Sequence, residues 1–178
     1  RALGDHLIVS IFVNPTQFNN QEDLQKYPRD IEKDAELLKS FDVDYIFNPD
    51  VSEIYPSGYR TSVTVREISA NFEGPDRPGH FEGVATVVTK LFNIIQPDIA
   101  VFGEKDFQQL CLVQGLVSDL FLPVKIVPAE IVREAHGLAM SSRNERLTAE
   151  YRQRAGIIYQ ALLTAQSVAQ IGKPTTEI

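Results

Sequence analysis

Short apolar runs rich in β-branched residues alternate with longer runs whose apolar residues fall at helical spacing, and this alternation leaves few architectures open. Leu7–Val13 reads as a buried strand that closes at Asn14–Pro15. A helix pattern follows over about Glu22 to Ser40, with Leu24, Ile31, Ala35, Leu37 and Leu38 on its buried side. Asp44–Phe47 is a short strand stopped by Pro49, Pro56–Gly58 is turn chemistry, and Thr61–Val65 alternates like an edge strand. Beyond a Gly- and Pro-rich loop over Asn71–Phe81, the spacing of Val84, Val87, Val88, Leu91 and Ile95 predicts a helix from about Gly83 to Ile95. Ile99–Phe102 then reads as a strand, Phe107–Leu120 as a helix and Val124–Val132 as a further strand. Such alternation points to an α/β fold, a parallel sheet with helices on both faces, in which ligands sit at the carboxyl ends of strands. After Val132 it ceases: Arg133–Asn144 is a polar loop and Thr148–Ala169 one helix of mixed character. The expected boundary therefore lies near Val132, between a first domain over 1–132 and the start of a smaller α+β domain over 133–178.

Composition narrows the partners. A formal net charge of −7 argues against a general nucleic-acid or anionic-membrane partner. Basic residues are scattered (Lys26, Arg29, Arg60, Arg77, Lys105, Arg133, Arg143), as when a few serve one small anionic ligand. The single cysteine, Cys111, forms no internal disulfide or cysteine-rich metal site and sits in an apolar helix pattern, so the expected compartment is a reducing cytoplasm. No run approaches the ~20 apolar residues of a membrane span. Arg1 is no initiator methionine, and Lys173–Ile178 reads like a helix beginning, so the expectation is a segment of a longer protein. The acidic cluster Glu32, Asp34 and Glu36 reads as a solvated helix face, and no metal site is expected from these side chains.

Two motifs carry chemistry. Phe102–Gln109 (Phe-Gly-Glu-Lys-Asp-Phe-Gln-Gln) leaves a strand and opens a helix. A glycine there lets the backbone approach a ligand, a helix N-terminus favours anions, and Lys105 supplies positive charge where the helix dipole alone disfavours it. These features suit a nucleotide. Met140–Asn144 (Met-Ser-Ser-Arg-Asn) sets two hydroxyls and a guanidinium side by side on a loop, which suits a polyphosphate. Taken singly, Asp106 reads as a helix cap or a ribose contact, His80 as a cap or a cleft residue, and Gln17 and Gln109 as solvated amides or ligand contacts. Asn14 supports the Gln17 turn or touches a substrate.

Val9–Phe18, Tyr27–Arg29, Arg77–Phe81, Phe102–Asp106, Gln108–Gln109 and Gly137–Asn144 together resemble the pantothenate synthetases (pantoate–β-alanine ligases), in the family's order, over about Leu7 to Arg154. The resemblance implies a Rossmann-like fold of the nucleotidyltransferase type followed by a lid domain. It implies a ligase that condenses pantoate with β-alanine through an enzyme-bound pantoyl adenylate, releasing AMP and pyrophosphate, with Mg²⁺ beside the ATP and a cytoplasmic homodimer as the working form. By the same resemblance Gln17, Gln109, Asn14 and His80 meet pantoate and β-alanine. Gly103, Glu104, Lys105, Asp106, Val132, Met140, Ser141, Ser142 and Arg143 meet ATP, with Lys105, Ser141, Ser142 and Arg143 catalytic. The family's histidine motif would fall before Arg1, so this segment alone is expected to be inactive or impaired. Two other readings compete: another nucleotidyltransferase of the same fold, and a binding-only fragment. A phosphorylated substrate would call for Arg or Lys where Gln17 and Gln109 stand, which favours the ligase.

Overall fold

The computed structural model describes residues 3–170, and the helix-like Lys173–Ile178 lies outside them. The chain divides into two compact units, Arg1–Ala129 and Glu130–Ile178.

In the first unit, strand β1 (Ile8–Ser10) pairs in parallel with β2 (Tyr45–Phe47), Ile8 opposite Tyr45 and Ser10 opposite Phe47. A second parallel pair joins β3 (Ile99–Gly103) to β4 (Lys125–Ala129), with Ile99 opposite Lys125. Parallel neighbours require long crossovers, and helices supply them. Between β1 and β2 run α1 (Gln21–Lys26) and α2 (Ile31–Lys39). Between β2 and β3 come α3 (Val51–Ile54), α4 (Arg66–Ala70) and α5 (His80–Ile95), and α6 (Phe107–Asp119) links β3 to β4. Val84, Ala85, Val87 and Val88 of α5 meet Leu112, Val113 and Leu116 of α6 in the core, which Ile54 and Phe81 complete. Phe12 and Phe102 pack against this cluster half-buried.

Four expectations are corrected. The helix drawn over Glu22–Ser40 is two, because Pro28 lacks an amide hydrogen and holds Tyr27 extended (φ −68°, ψ 126°). Each piece carries its own cap, Asn20 accepting from Glu22 N and Asp30 from Lys33 N. Ile31 and Leu37, assigned to a buried face, are exposed on α2. Thr61–Val65 forms no strand: Val63 N–H donates to Thr86 Oγ1 at 2.9 Å and Thr64 Oγ1 to Glu82 Oε2 at 2.8 Å, so α5 takes the bonds a neighbouring strand would have taken. Helix α5 starts at His80, three residues before the expected Gly83, after Gly79 takes a left-handed turn at φ 79°. Helices α3 and α4 were not anticipated.

In the second unit Arg133 and Ala139 form an antiparallel bridge, and a 3-10 turn covers Ser142–Arg146. The single helix expected over Thr148–Ala169 is α7 (Ala149–Arg154) and α8 (Ile157–Gln170). They part at the Ala155–Gly156 turn, where a Cβ on Gly156 would lie 2.4 Å from the His136 carbonyl oxygen. The Glu134 carboxylate accepts from Arg152 Nε at 2.8 and 3.1 Å and from Asn144 Nδ2 at 2.8 Å.

These contacts can be tested at two glycine- and carboxylate-bearing positions. A Cβ on Gly83 would stand 2.8 Å from Thr16 C and O and 2.9 Å from Gln17 N, backbone atoms that cannot rotate aside. Gly83→Ala should therefore lose about 1–3 kcal/mol in urea denaturation, although alanine is the better helix former. A neutral or stabilised variant would show that the Pro15–Gln17 segment is free to shift.

The second position is Glu134, whose carboxyl is held below the usual range first by the Arg152 bond and then by that of Asn144. A depressed folded pKa contributes stability that is present above the unfolded value, about 4.3, and lost as pH falls through the folded one. The difference in denaturation midpoint between the parent and Glu134→Gln should thus shrink as pH falls from 7 through that range. An equal difference at pH 7 and pH 3 contradicts this.

Candidate active site

The chain leaves β1 into a 3-10 turn, Pro15–Gln17, which packs against the first turns of α5. Asn14 caps that turn and is 2% exposed. Its Oδ1 accepts from Tyr55 OH at 2.8 Å, Thr16 Oγ1 at 2.9 Å and, more weakly, Thr16 N at 3.4 Å. Its Nδ2 donates to Gly83 O at 3.1 Å and to Gln17 Oε1 at 3.2 Å. Both amide hydrogens are thus used inside the protein, where they support the Gln17 turn. Gln17 has its side-chain oxygen fixed by Asn14, while its NH₂ group makes no bond to any described residue.

His80 opens α5 and is buried, with Nδ1 2.8 Å from Gln17 O. A carbonyl can only accept, so the neutral ring donates from Nδ1 and keeps Nε2 as an acceptor. Burial pushes its pKa below the ordinary histidine value, assisted by Arg77 and opposed by the Gln17 bond, Glu73 and Asp106. The ring is therefore neutral at neutral pH.

Gly103 ends β3, and a Cβ there would meet nothing within 4 Å, so its exposed face is open to a ligand. Glu104–Asp106 form a 3-10 turn ahead of α6. Lys105 Nζ lies 3.3 Å from Asp106 Oδ1, with the two side chains 40% and 64% exposed. Water screens such a pair to a fraction of a kcal/mol, about 0.2–1 at most, so Lys105 is free to turn to a stronger anion. The neighbouring glutamines divide the work. Gln108 Nε2 donates to Ile68 O at 2.7 Å and Asn71 O at 2.8 Å, and its Oε1 accepts from Glu73 N at 3.1 Å, which fixes the loop before Arg77. Gln109 is half-buried with an amide unpaired among the described residues.

In the second unit, Val132 and Met140 are exposed and joined through Met140 N–H to Val132 O at 2.9 Å. Ser141 Oγ accepts from Arg143 N at 3.2 Å and so caps the turn that carries Ser142 and Arg143, both exposed. Among the described residues no three His, Cys, Asp or Glu side chains are grouped to hold a metal ion. None of their helices is long and apolar enough to cross a membrane.

Sequence reasoning missed Gly83, Thr16, Tyr55 and Gln108, which hold the first-unit groups, and Glu134 and Arg152, which hold the loop of the second. Gln108 stood in the Phe102–Gln109 motif without that role, and Gly83 left a local trace as a glycine in the first turns of an otherwise strong helix.

The family model for pantoate-beta-alanine ligase matches residues 1–178. The pantothenate synthetase of Aquifex aeolicus (strain VF5) is 54% identical over 173 residues, 97% of this chain and 61% of that protein. That of Paracoccus denitrificans (strain Pd 1222) is 54% identical over 177 residues, 99% of this chain and 63% of that one. Among solved structures, pantothenate synthetase from Thermus thermophilus superposes with a TM-score of 0.93 at 49% identity, covering 97% of this chain and 63% of the other. The pantoate-beta-alanine ligase of Francisella tularensis, complexed with beta-gamma ATP and beta-alanine, gives a TM-score of 0.84 at 46% identity, covering 89% and 61%. The chain thus spans about three fifths of the length of the curated relatives it matches. Its α/β architecture of parallel strands and crossover helices is shared with these structures. With a family model matching all of its residues and half or more of the aligned residues identical to curated members, the chain belongs to the pantoate-beta-alanine ligase family.

Proposed function

We propose that the protein carrying this chain condenses pantoate with β-alanine at the expense of ATP, through a bound pantoyl adenylate, releasing AMP and pyrophosphate. The observation that carries the reading is the Asn14–Gln17 turn, which presents an oriented, uncharged amide at the end of β1. The family membership and the Francisella tularensis complex with ATP and β-alanine support it.

A carboxylate does not react with an amine unaided. Its oxygen attacks the α-phosphorus, the bond to pyrophosphate breaks, and the amine of β-alanine then displaces AMP from the acyl carbon with loss of a proton. The first step needs two anions held in line and the charge on the phosphates offset. Gln17 and Gln109 hold pantoate, and Asn14 acts through Gln17. His80 lies beside the substrates with a neutral ring whose Nε2 accepts. Lys105 answers charge at the α-phosphate, while Gly103, Glu104 and Asp106 take the nucleoside side. From the second unit, Ser141, Ser142 and Arg143 take β- and γ-phosphate oxygens, and Val132 and Met140 contact the nucleotide. Mg²⁺ would enter with ATP rather than on these side chains and would offset part of the phosphate charge. A first domain for ATP and pantoate, a lid domain, a homodimer and a cytoplasmic setting belong to the same proposal.

The decisive experiment is single-turnover AMP formation from ATP, Mg²⁺ and pantoate by the full-length protein, with β-alanine omitted and then added. ATP should be consumed only when pantoate is present, and Lys105→Ala should slow that step by on the order of 10²- to 10³-fold. Gln17→Ala should raise KM for pantoate and leave KM for ATP within about twofold, because it removes a contact to one substrate only. Pantoate-independent consumption of ATP would turn the assignment to another nucleotidyltransferase.

A further inference from the structure

In the second unit the chain from Val132 to Met140 doubles back on itself. Arg133 bridges Ala139, Met140 N–H donates to Val132 O at 2.9 Å, and Glu134 N–H donates to Leu138 O at 2.8 Å. Gly137 makes the reversal at φ 98°, where a Cβ would stand 2.7 Å from Tyr159 Cδ1. The Arg133 guanidinium lies over that same ring at 3.9 Å and donates to Gly137 O at 3.1 Å, so the hairpin is fixed to α8.

The segment bearing Ser141, Ser142 and Arg143 leaves this hairpin at Met140 and comes back to it at Asn144. Asn144 is 8% exposed, and its Nδ2 donates to Glu134 Oε1 at 2.8 Å and Ala139 O at 3.0 Å. Both ends of the segment are therefore fastened to the same hairpin, one by backbone and one by a carboxylate. That carboxylate is itself held by Arg152 Nε of α7 at 2.8 and 3.1 Å. His136 Nε2 bonds the Arg152 carbonyl at 2.8 Å, and its Nδ1 stands 3.9 Å from Glu134 Oε2.

We propose that Glu134 is a positioning residue that acts through Asn144, holding the Ser141–Arg143 segment in the conformation that receives the ATP phosphates. The inference rests on the ligase reading above. Without the anchor, the nucleotide would have to order the segment on binding, and that ordering cost is subtracted from affinity. Glu134→Gln keeps the shape and removes the charge that orients the Asn144 and Arg152 donors. Asn144→Ala removes the link between Glu134 and the segment together with the bond to Ala139 O, leaves the Glu134–Arg152 pair in place, and serves where the first variant folds poorly.

In the full-length protein, both variants should raise KM for ATP by on the order of 10- to 100-fold while KM for pantoate stays within about twofold. Loss of folded protein alone would lower the apparent kcat and leave both KM values in place. Hydrogen exchange supplies a readout independent of turnover: amides of 140–144 should exchange at least about tenfold faster in the variants, with those of α5 and α6 unchanged. Should the parent turn over and Glu134→Gln keep the parental KM for ATP, the positioning role is overturned and the ligase reading stands. Should the parent form no AMP at all, the ligase reading fails. Exchange at 140–144 then decides alone whether Glu134 holds the segment, unchanged exchange overturning that role.

Discussion

The first unit depends on the closeness of the Pro15–Gln17 turn to helix α5, and the Asn14 side chain makes that closeness stable. A helix can approach a backbone turn so nearly only where it carries no Cβ, which is the role of Gly83. The approach removes the Gly83 carbonyl and the Asn14 amide from water, and each would cost about 1–3 kcal/mol if left unpaired. Asn14 Nδ2 bonds the Gly83 carbonyl, and Tyr55 OH and Thr16 Oγ1 satisfy Asn14 Oδ1. These bonds converge on one buried amide and hold the turn against α5. Gln17 inherits that rigidity through its own bond to Asn14.

Tyr55 belongs to the same design from the opposite side. Burial raises the pKa of its hydroxyl, which keeps it a donor to Asn14 throughout the neutral range. Lys90 Nζ sits 4.9 Å from the centroids of both Tyr55 and Tyr59 and donates to Ile54 O at 2.6 Å, so the ring is held over α5 by a cation as well as by packing. The orientation of the Gln17 side chain thus traces to residues up to Lys90, none of which need touch a ligand.

How much of this a reader of the sequence could see follows from the range of each interaction. Strands β1 to β4 and helices α5 and α6 were legible because their apolar spacing is local and strong. Thr61–Val65 also has the period of a strand, yet its amide bonds the Thr86 hydroxyl, a partner chosen by tertiary contact. Pro28 was visible, and its effect on Tyr27 follows from steric rules, so the break in the Glu22–Ser40 helix was available and outweighed by hydrophobic periodicity. Lys105 and Ser141–Arg143 stood out because a charge at a helix start or a Ser-Ser-Arg run has an anion-binding logic of its own. Glu134 and Arg152 did not, nor did the tie of Asn144 to Glu134, because a carboxylate, an amide and a guanidinium spread over 18 residues acquire joint meaning only when the fold closes them on one another.

The two units use opposite electrostatic means, and the proposed chemistry accounts for the difference. A nucleophilic carboxylate must be held without being neutralised, since a tight ion pair with Lys or Arg would lower the energy of its lone pairs and slow attack. Neutral amides orient it at less cost to its reactivity, and such donors need a rigid mount because a single neutral bond contributes only about 0.5–1.5 kcal/mol. The Asn14 network provides that mount. Pyrophosphate poses the reverse problem, because it gains charge as it leaves and benefits from every positive group that reaches it. Hydroxyls and a guanidinium on an exposed turn suit that task, and they tolerate a mount made of charge, the Glu134–Arg152 pair, whose strength changes with pH. Acid should therefore loosen the Ser141–Arg143 segment proposed to receive the phosphates, whereas no side chain bonded to Asn14 changes charge between pH 7 and the carboxylate range.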